Sequence, residues 1–528
     1  MSNPRHGIDR TGAFPDTVAE ILSRTARQLP GKTALTFADR EWTYAELDRA
    51  TGRVAARLLE FGFSRGDRVA VFGKNSDAYV VLYLGCARAG LVHVPINYNA
   101  RGDDLAYQIQ QSDPRIVFTD ADLDGFVDAA VTFEGLRGSL RGGQNLDVLA
   151  WATAPNGSLH DENGVRGDDL VQILYTSGTT SRPKGAALTH RGQVHQYRSC
   201  IDALDLCADD VMVHALPLYH TAQMHVFLLP ALAVGATNHL LETPDLDEIM
   251  RRVPSQGVTS LFLPPTVWVS LANHPGLADA DLGGLQKAYY GASIMPVPVL
   301  QKLRSRLPDV GFFNCFGQTE IGPLATVLRP EEHDARPDSV GRPVLFVDLR
   351  VVDTDMNDVA PGELGEVVYQ SPQLCTEYWR KPAETAEAFA GGWFHSGDLA
   401  RMDEQGYLFV VDRIKDVVNT GGVLVASREV EDALYSHPAV AEVAVIGVPD
   451  DRWIEAITAA VVLKHDVAAE DLIAFAKQRL APHKVPKTVF VIDELPKNPS
   501  GKILKRDLRV RFGGTASAVP VSDKQQPN

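Results

Sequence analysis

Residues 174 to 186, Leu-Tyr-Thr-Ser-Gly-Thr-Thr-Ser-Arg-Pro-Lys-Gly-Ala, gather three threonines, two serines, two glycines and a lysine. Glycines let the backbone turn its N–H groups inward, hydroxyls add short donors, and Lys184 adds a positive charge, a combination that suits a polyphosphate better than a single carboxylate. Thr176, Ser177, Gly178, Thr179, Thr180 and Lys184 are therefore the phosphate-binding candidates. The loop is not a Walker motif, which needs Gly-Lys-Ser/Thr, because Pro183 precedes Lys184 and Gly185 follows it. Taken alone, most such Gly/Ser/Thr clusters are ordinary surface turns. Two other constellations imitate metal sites. His214, His220 and His225 lack a carboxylate or thiolate at a recognised zinc spacing. Asp353, Asp355 and Asn357 begin like a calcium loop, but Asp358 stands where the turn glycine belongs and Leu364 where the closing glutamate belongs, so this reads as a turn between strands.

The elements that must position these residues have a layered α/β rhythm. Apolar residues 170–175 read as a buried strand that empties directly into the phosphate-loop candidates. Upstream, residues 47–60 and 78–89 read as helices, and 68–72 and 115–119 as strands. Residues 137–169 are rich in Gly and Asp and read as loops and an irregular linker. Downstream, 190–204 reads as a helix, 211–215 and 258–263 as strands, and Pro264-Pro265 as the start of another helix. A strand at 407–412 leads to a compact α+β module: Gly421-Gly422, a helix at 428–435 capped by Ser427, strands at 441–446 and 459–463, and a helix at 469–480.

At 528 residues and 45% hydrophobic, the chain can bury a sizeable core. A formal charge of −16 argues against nucleic acid as a general partner, so any anionic ligand must be held locally. Five scattered cysteines, with no Cys-x-x-Cys pair, suit a reducing compartment without a disulfide framework. The first ten residues lack the apolar core of a signal peptide, and residues 211–236 are broken by His214, Pro217, His220, His225 and Pro230, which suits internal core and not a membrane span. These features predict a cytoplasmic protein.

The Thr-rich loop and the stretches that follow it in order resemble the adenylate-forming superfamily, which includes acyl-CoA synthetases, luciferases and the adenylation domains of peptide synthetases. The resemblance runs from about residue 16 to 511. It implies a large N-terminal domain of layered α/β sheets (1–414) and a small mobile α+β domain (415–512), and the Gly, Ser, Pro, Lys and Gln of residues 513–528 read as a disordered tail. In Leu216 to Met224 the aromatic–His pair, Tyr219-His220, would border the acid-binding pocket. Ala288-Tyr-Tyr-Gly-Ala-Ser293 stands where relatives commonly carry Gly-Gly-Ala-Pro; Ala292 would touch the nucleotide, and Tyr290, in place of a glycine, would shorten or bend the pocket. Asn314-Cys-Phe-Gly-Gln-Thr-Glu320 resembles the family's Tyr-Gly-x-Thr-Glu motif, with Phe316 keeping an aromatic face for adenine beside Gly317 and Thr319. Glu320 matches the magnesium-associated glutamate, a hard oxygen ligand.

By the same resemblance, Phe394-His-Ser-Gly-Asp398 supplies the ribose carboxylate and Arg413 a second ribose contact. Lys415 is the hinge, and the Gly421-Gly422 loop lets a thiol arm pass close to the backbone. Asn419 stands where some relatives carry lysine, and Ser427 where many carry proline. Pro496-Lys-Asn-Pro-Ser-Gly-Lys502 matches the last motif, whose Lys502 reaches back to the first domain. Lys502, Glu320 and His220 are the catalytic candidates. The acyl-pocket candidates are Tyr219, Met224, Val267, Tyr290, Ala292, Gln318 and Leu324; none is Arg or Lys, which favours a monocarboxylic acid.

The implied reaction has two halves. An organic carboxylate attacks the α-phosphate of ATP, with Mg²⁺, to give an acyl-adenylate and pyrophosphate; coenzyme A then displaces AMP. A medium-chain fatty acid is the favoured substrate, each buried methylene adding about 0.8 kcal/mol. One alternative loads the acyl group onto a carrier-protein phosphopantetheine. Another is a non-catalytic nucleotide or acyl-adenylate sensor, against which intact Lys502, Glu320, Asp398 and Arg413 stand. The expected partners are the small-molecule acid, ATP and CoA; the sequence leaves a homodimer open.

Overall fold

The structure is a computed structural model that describes residues 16–143, 146–160, 164–176, 182–293, 295–450, 452–497 and 503–513. Among the candidates, Ser177, Gly178, Thr179, Thr180 and Lys502 lie outside the described residues, as does the expected tail from residue 514.

The chain folds into a large mixed α/β domain of several sheets followed by a smaller α+β domain. Among the described residues, one seven-stranded sheet runs in the order Glu377–Tyr378, Lys184–Thr189, Leu170–Thr176, Val92–Ile96, Arg68–Phe72, Ile116–Thr119, Leu136–Ser139. Its strands Val92–Ile96, Arg68–Phe72 and Ile116–Thr119 are parallel and nearly all apolar, as expected where both faces are covered. A nine-stranded sheet carries Val211–His214, Ser260–Phe262, Lys287–Gly291 and Gly311–Gly317 as neighbouring parallel strands. A four-stranded antiparallel sheet holds Gly365–Gln370 between Asp348–Val352 and Phe394–Met402, with Leu408–Arg413 at its edge.

Helix Asp77–Ala89 shows how sequence sets position. Ser76 caps it by accepting the Tyr79 N–H, Gly90 ends it in the left-handed conformation, and every residue between is buried. A helix apolar on all sides belongs inside a layered core. The helical stretch from Ala222 to Val234 lies between two cores: Met224, Leu228 and Leu232 join one with Val69, Val71 and Val171, whereas Val226, Phe227 and Ala231 join another with Phe262 and Tyr289. Among the described residues no helix is long and apolar enough to cross a membrane.

Two expectations need correction. Residues 137–169 are not only linker: Leu136–Ser139 adds a parallel edge strand and Val148–Thr153 a helix capped by Asp147. Gly138 stands against the Phe118 ring, where a Cβ would collide, so this glycine serves close packing and not a turn. Ser427 is not a cap but the first residue of helix Ser427–Tyr435, and its hydroxyl donates to Asp412 Oδ2 at 2.7 Å. The calcium-like stretch is a turn, as expected: Asp353 Oδ1 accepts the N–H groups of Asp355 and Asn357.

Candidate functional site

The phosphate candidates sit where two antiparallel strands meet. Thr176 pairs with Lys184 at the open end of the Leu170–Thr176 and Lys184–Thr189 ladder, and its hydroxyl donates to the Lys184 carbonyl at 3.3 Å. Lys184 Nζ stands 4.8 Å from the centroid of the Tyr378 ring. The Tyr378 hydroxyl in turn donates to Glu320 Oε1 at 2.9 Å. Burial, with the Glu320 carboxylate beside it, raises the pKa of this phenol and keeps it protonated.

Glu320 is itself buried, on the single turn Thr319–Ile321 that follows strand Gly311–Gly317. Gly317 is required there, because a Cβ would collide with the Pro323 carbonyl. The turn is tied down from the 371–379 segment: Cys375 N–H donates to the Glu320 carbonyl at 2.7 Å, and Gln373 Nε2 donates to the carbonyls of Ile321 and Leu324 at 2.9 and 2.7 Å. Nearby, Gln318 Nε2 is buried without a partner among the described residues. Phe316 is partly buried in the core that holds Leu324, and Ala292 follows its strand with φ +66°, a conformation a non-glycine residue rarely adopts. The structure thus joins Thr176, Lys184 and Glu320 through Tyr378, which no sequence signal marked.

Asp398 and Arg413 face each other across the strands Phe394–Met402 and Leu408–Arg413, and Arg413 Nε lies 2.7 Å from Asp398 Oδ1. The arginine also donates to the Ser396 carbonyl at 3.0 Å. The carboxylate is nearly covered, at 5% exposure, while the guanidinium keeps 34%. Strand register brings this pair together.

Tyr219 and His220 ride on a loop anchored from behind. Asn75, at the foot of helix Asp77–Ala89, donates to the carbonyls of Leu216 and Leu241 at 2.9 and 3.0 Å and accepts the Leu218 N–H at 2.8 Å. Gln223 Oε1 accepts the Leu216 N–H at 3.1 Å. The Tyr219 and His220 rings lie 4.5 Å apart, and Tyr98 meets Tyr219 edge-on at 5.3 Å. Desolvation pushes His220 down to about 4, so its imidazole is neutral near pH 7. His214 is held between Gln223 and Asn238, and His225 between Tyr197 and Gln172, which explains why these histidines are core residues and not ligands.

The other acyl candidates fall in three apolar clusters. Met224 lies in the core beneath the seven-stranded sheet, its sulfur 3.9 Å from Gln172 Nε2. Leu324 lies in the core with Phe313 and Tyr369. Val267 and Tyr290 lie with Trp268 and Phe312, and the Tyr290 hydroxyl bonds to His333 Nε2 at 2.9 Å. A surface cleft of about 620 Å³, lined by Arg304, Val310, Pro330 and Asp334, contains none of the candidates.

Lys415 occupies the short turn Ile414–Asp416 between the large and small domains, where Arg509 Nη2 donates to its carbonyl at 3.1 Å and to Asp416 Oδ1 at 2.8 Å. Gly421 and Gly422 form the two-residue loop of the hairpin Val418–Thr420 and Val423–Val425, with φ +66° and +84°. Such a loop needs positive φ at both positions. Asn419 Oδ1 accepts the Gly422 N–H at 3.0 Å, and a Cβ on Gly422 would meet open space, whereas one on Gly421 would touch Trp453.

Comparison with known proteins gives a consistent picture. The family described as AMP-binding enzyme matches residues 22–379, and the AMP-binding enzyme C-terminal domain matches 429–502. Feruloyl-CoA synthase from an Amycolatopsis species is 37% identical over 495 residues, covering 93% of this chain and 98% of its own. The fatty acid–[acyl-carrier-protein] ligase ScoC of Streptomyces coeruleorubidus is 32% identical over 516 residues, covering 95% and 97%. Among solved structures, ATP-bound MatB from Rhodopseudomonas palustris superposes with a TM-score of 0.85 at 30% identity, covering 94% of this chain and 100% of that one.

Proposed function

The chain belongs to the AMP-binding enzyme family of the adenylate-forming superfamily, and from that membership we propose that it joins a monocarboxylic acid to coenzyme A through an acyl-adenylate, releasing pyrophosphate and then AMP. Membership makes it an ATP-dependent, acyl-adenylate-forming enzyme. The observation that carries the site assignment is the joined corner of Lys184, Tyr378 and Glu320, where a cation and a carboxylate stand at the end of the strand that enters the Thr-rich loop.

In the first half-reaction two anions must meet, so the site has to neutralise charge while aligning an in-line displacement. Lys184 takes phosphate oxygens, together with Thr176 and the loop 177–180. Asp398 and Arg413 hold the ribose hydroxyls, and the Phe316 face stacks on adenine. Glu320 fits a magnesium ion: Oε1 is fixed by Tyr378, and Oε2 has no partner among the described residues. When bound there, Mg²⁺ would screen the phosphate charge. Gln318 Nε2, buried and without a partner among the described residues, offers a further donor to whatever fills the space beside it. By family resemblance, Lys502 bridges the carboxylate and the α-phosphate. Tyr219 and the neutral His220 border the acid.

In the second half-reaction the small domain, with its boundary at Lys415, turns so that the Gly421-Gly422 hairpin admits the thiol arm. Lys415→Pro stiffens that joint. It should spare pyrophosphate release and block thioester formation, as read by single-turnover assays of each half; normal rates for both would remove Lys415 from the hinge role.

A medium-chain fatty acid is the substrate that the apolar candidates suit. An arylpropenoic acid is the second reading, favoured by the 37% identity to a feruloyl-CoA synthase. Transfer to a carrier protein instead of CoA is favoured by the likeness to a carrier-protein ligase. AMP formation from MgATP across acids from acetate to palmitate, with ferulate and benzoate, tests all three. An optimum at medium chain length with CoA supports the first reading, a preference for ferulate the second, and turnover only with a phosphopantetheinylated carrier the third.

A further inference from the structure

We propose that Tyr378 is a positioning residue that holds Glu320 and Lys184 apart, so that the carboxylate stays available to the metal and the ammonium to phosphate oxygens. The inference rests on the adenylation site assigned above.

A lysine and a glutamate that contact the same side chain can instead pair with each other, and a paired carboxylate and ammonium are poorer ligands for anything else. Here they do not. Among the described residues Lys184 Nζ makes no ion pair; it lies instead against the Tyr378 ring, 4.8 Å from the centroid. The far end of the same side chain donates its hydroxyl to Glu320 Oε1 at 2.9 Å, which fixes one oxygen and leaves Oε2 without a partner among the described residues. One phenol therefore gives the cation a π face and the anion a hydrogen bond.

The backbone around Tyr378 fixes both halves of this arrangement. Tyr378 pairs with Ala186, two residues past Lys184, and its neighbours Thr376 and Trp379 donate N–H groups to the carbonyls of Ala187 and Gly185 at 2.9 and 2.7 Å. Thr385 Oγ1 accepts the Tyr378 N–H at 3.0 Å. On the other side, Gln373 and Cys375 hold the backbone of the Glu320 turn. Residues 373–379 thus set the spacing between the Lys184 strand and the Glu320 turn, and the Tyr378 side chain fills that spacing.

Tyr378→Phe keeps the ring and its packing and removes only the hydroxyl. Calorimetric titration with MgATP and, separately, with AMP tests the proposal, because AMP lacks the β- and γ-phosphates that Lys184 and the metal would meet. Tyr378→Phe should weaken MgATP binding about tenfold and raise the Mg²⁺ concentration needed for half-saturation, with AMP binding unchanged. Tyr378→Leu, which also removes the π face, should weaken MgATP further. In a Glu320→Gln background, Tyr378→Phe should have little additional effect, since its hydroxyl acts through that carboxylate. Equal losses of MgATP and AMP, or an undiminished effect in the Glu320→Gln background, would make Tyr378 a packing residue and overturn the proposal. Wild-type protein that binds AMP but not MgATP would overturn the site assignment itself, a result separable from any Tyr378 phenotype.

Discussion

On the proposed nucleotide side of this molecule, polar side chains meet at strand ends: Lys184 and Glu320 across Tyr378, and Asp398 with Arg413 across one antiparallel register. On the proposed acid side, Tyr219 and His220 sit on a loop whose shape is set from beneath by Asn75 and Gln223, and the remaining candidates are distributed over three apolar cores. Nucleotide recognition is written in charge and hydrogen-bonding type, which a side chain carries wherever it stands. Acid recognition is written in packing, which belongs to the assembly of layers and not to any one residue. Substitutions on the first side should therefore remove chemistry, and those on the second should shift substrate affinity.

The largest effect is expected at Glu320. Glu320→Ala should lower acid-dependent pyrophosphate release by about a hundredfold or more, while thioester formation from supplied acyl-adenylate persists. Separate assays of the halves check this, and equal loss of both would mean that the turn, and not the carboxylate, had failed. On the acid side, Asn75→Ala removes three buried hydrogen bonds behind the Tyr219–His220 loop. The expected outcome is a roughly tenfold rise in KM for the acid, with KM for MgATP unchanged, and a stability loss of about 1–3 kcal/mol. A matching rise in KM for MgATP would erase the separation of the two sides.

That separation also explains what the sequence discloses. Lys184 is singled out by the composition of its loop, and Glu320, Asp398 and Arg413 by the resemblance of their stretches to family motifs. Tyr378 and Asn75 are not: each is an unremarkable residue that meets its partner 58 and 141–166 positions away, through strand pairing or layer packing. Tyr290 stands where the resembled motif carries a glycine, and the sequence does not disclose that its hydroxyl is bonded to His333 and its ring packs with Trp268 and Phe312. In the fold, helix Asp77–Ala89 was visible as a continuous apolar run, whereas strand Leu136–Ser139 was hidden because Gly138 resembles a turn residue and serves contact with Phe118.

The buried histidines give a smaller, pH-dependent effect. Burial pushes His93 and His225 down to about 3 and His214 to about 4, below the ordinary value near 6.5. Well above pH 6.5 they are neutral in both folded and unfolded chains and contribute almost no slope. Below it the unfolded chain takes up protons that the folded chain refuses, so stability falls as pH drops, by up to about 1.4 kcal/mol per unit for each histidine. Thermal melts should be flat between pH 7 and 8 on this account and fall between pH 6 and 5. His225→Gln should reduce that slope, and an unchanged slope would mean that His225 is not part of it.

The smallest effect is expected away from both sides. Ser427→Ala removes the hydroxyl's bonds to Asp412 and Lys505 beside the turn Ile414–Asp416 and should cost about 1 kcal/mol of stability without changing KM for MgATP or acid. A shift in either constant would show that this contact reaches the site.

The most direct test of the central claim is mass-spectrometric analysis of the products formed from MgATP and octanoate, with and without CoA. The account predicts enzyme-bound octanoyl-AMP and pyrophosphate without CoA, and octanoyl-CoA with AMP when CoA is added. ATP that is bound and left intact with octanoate, ferulate and the other acids alike would contradict it.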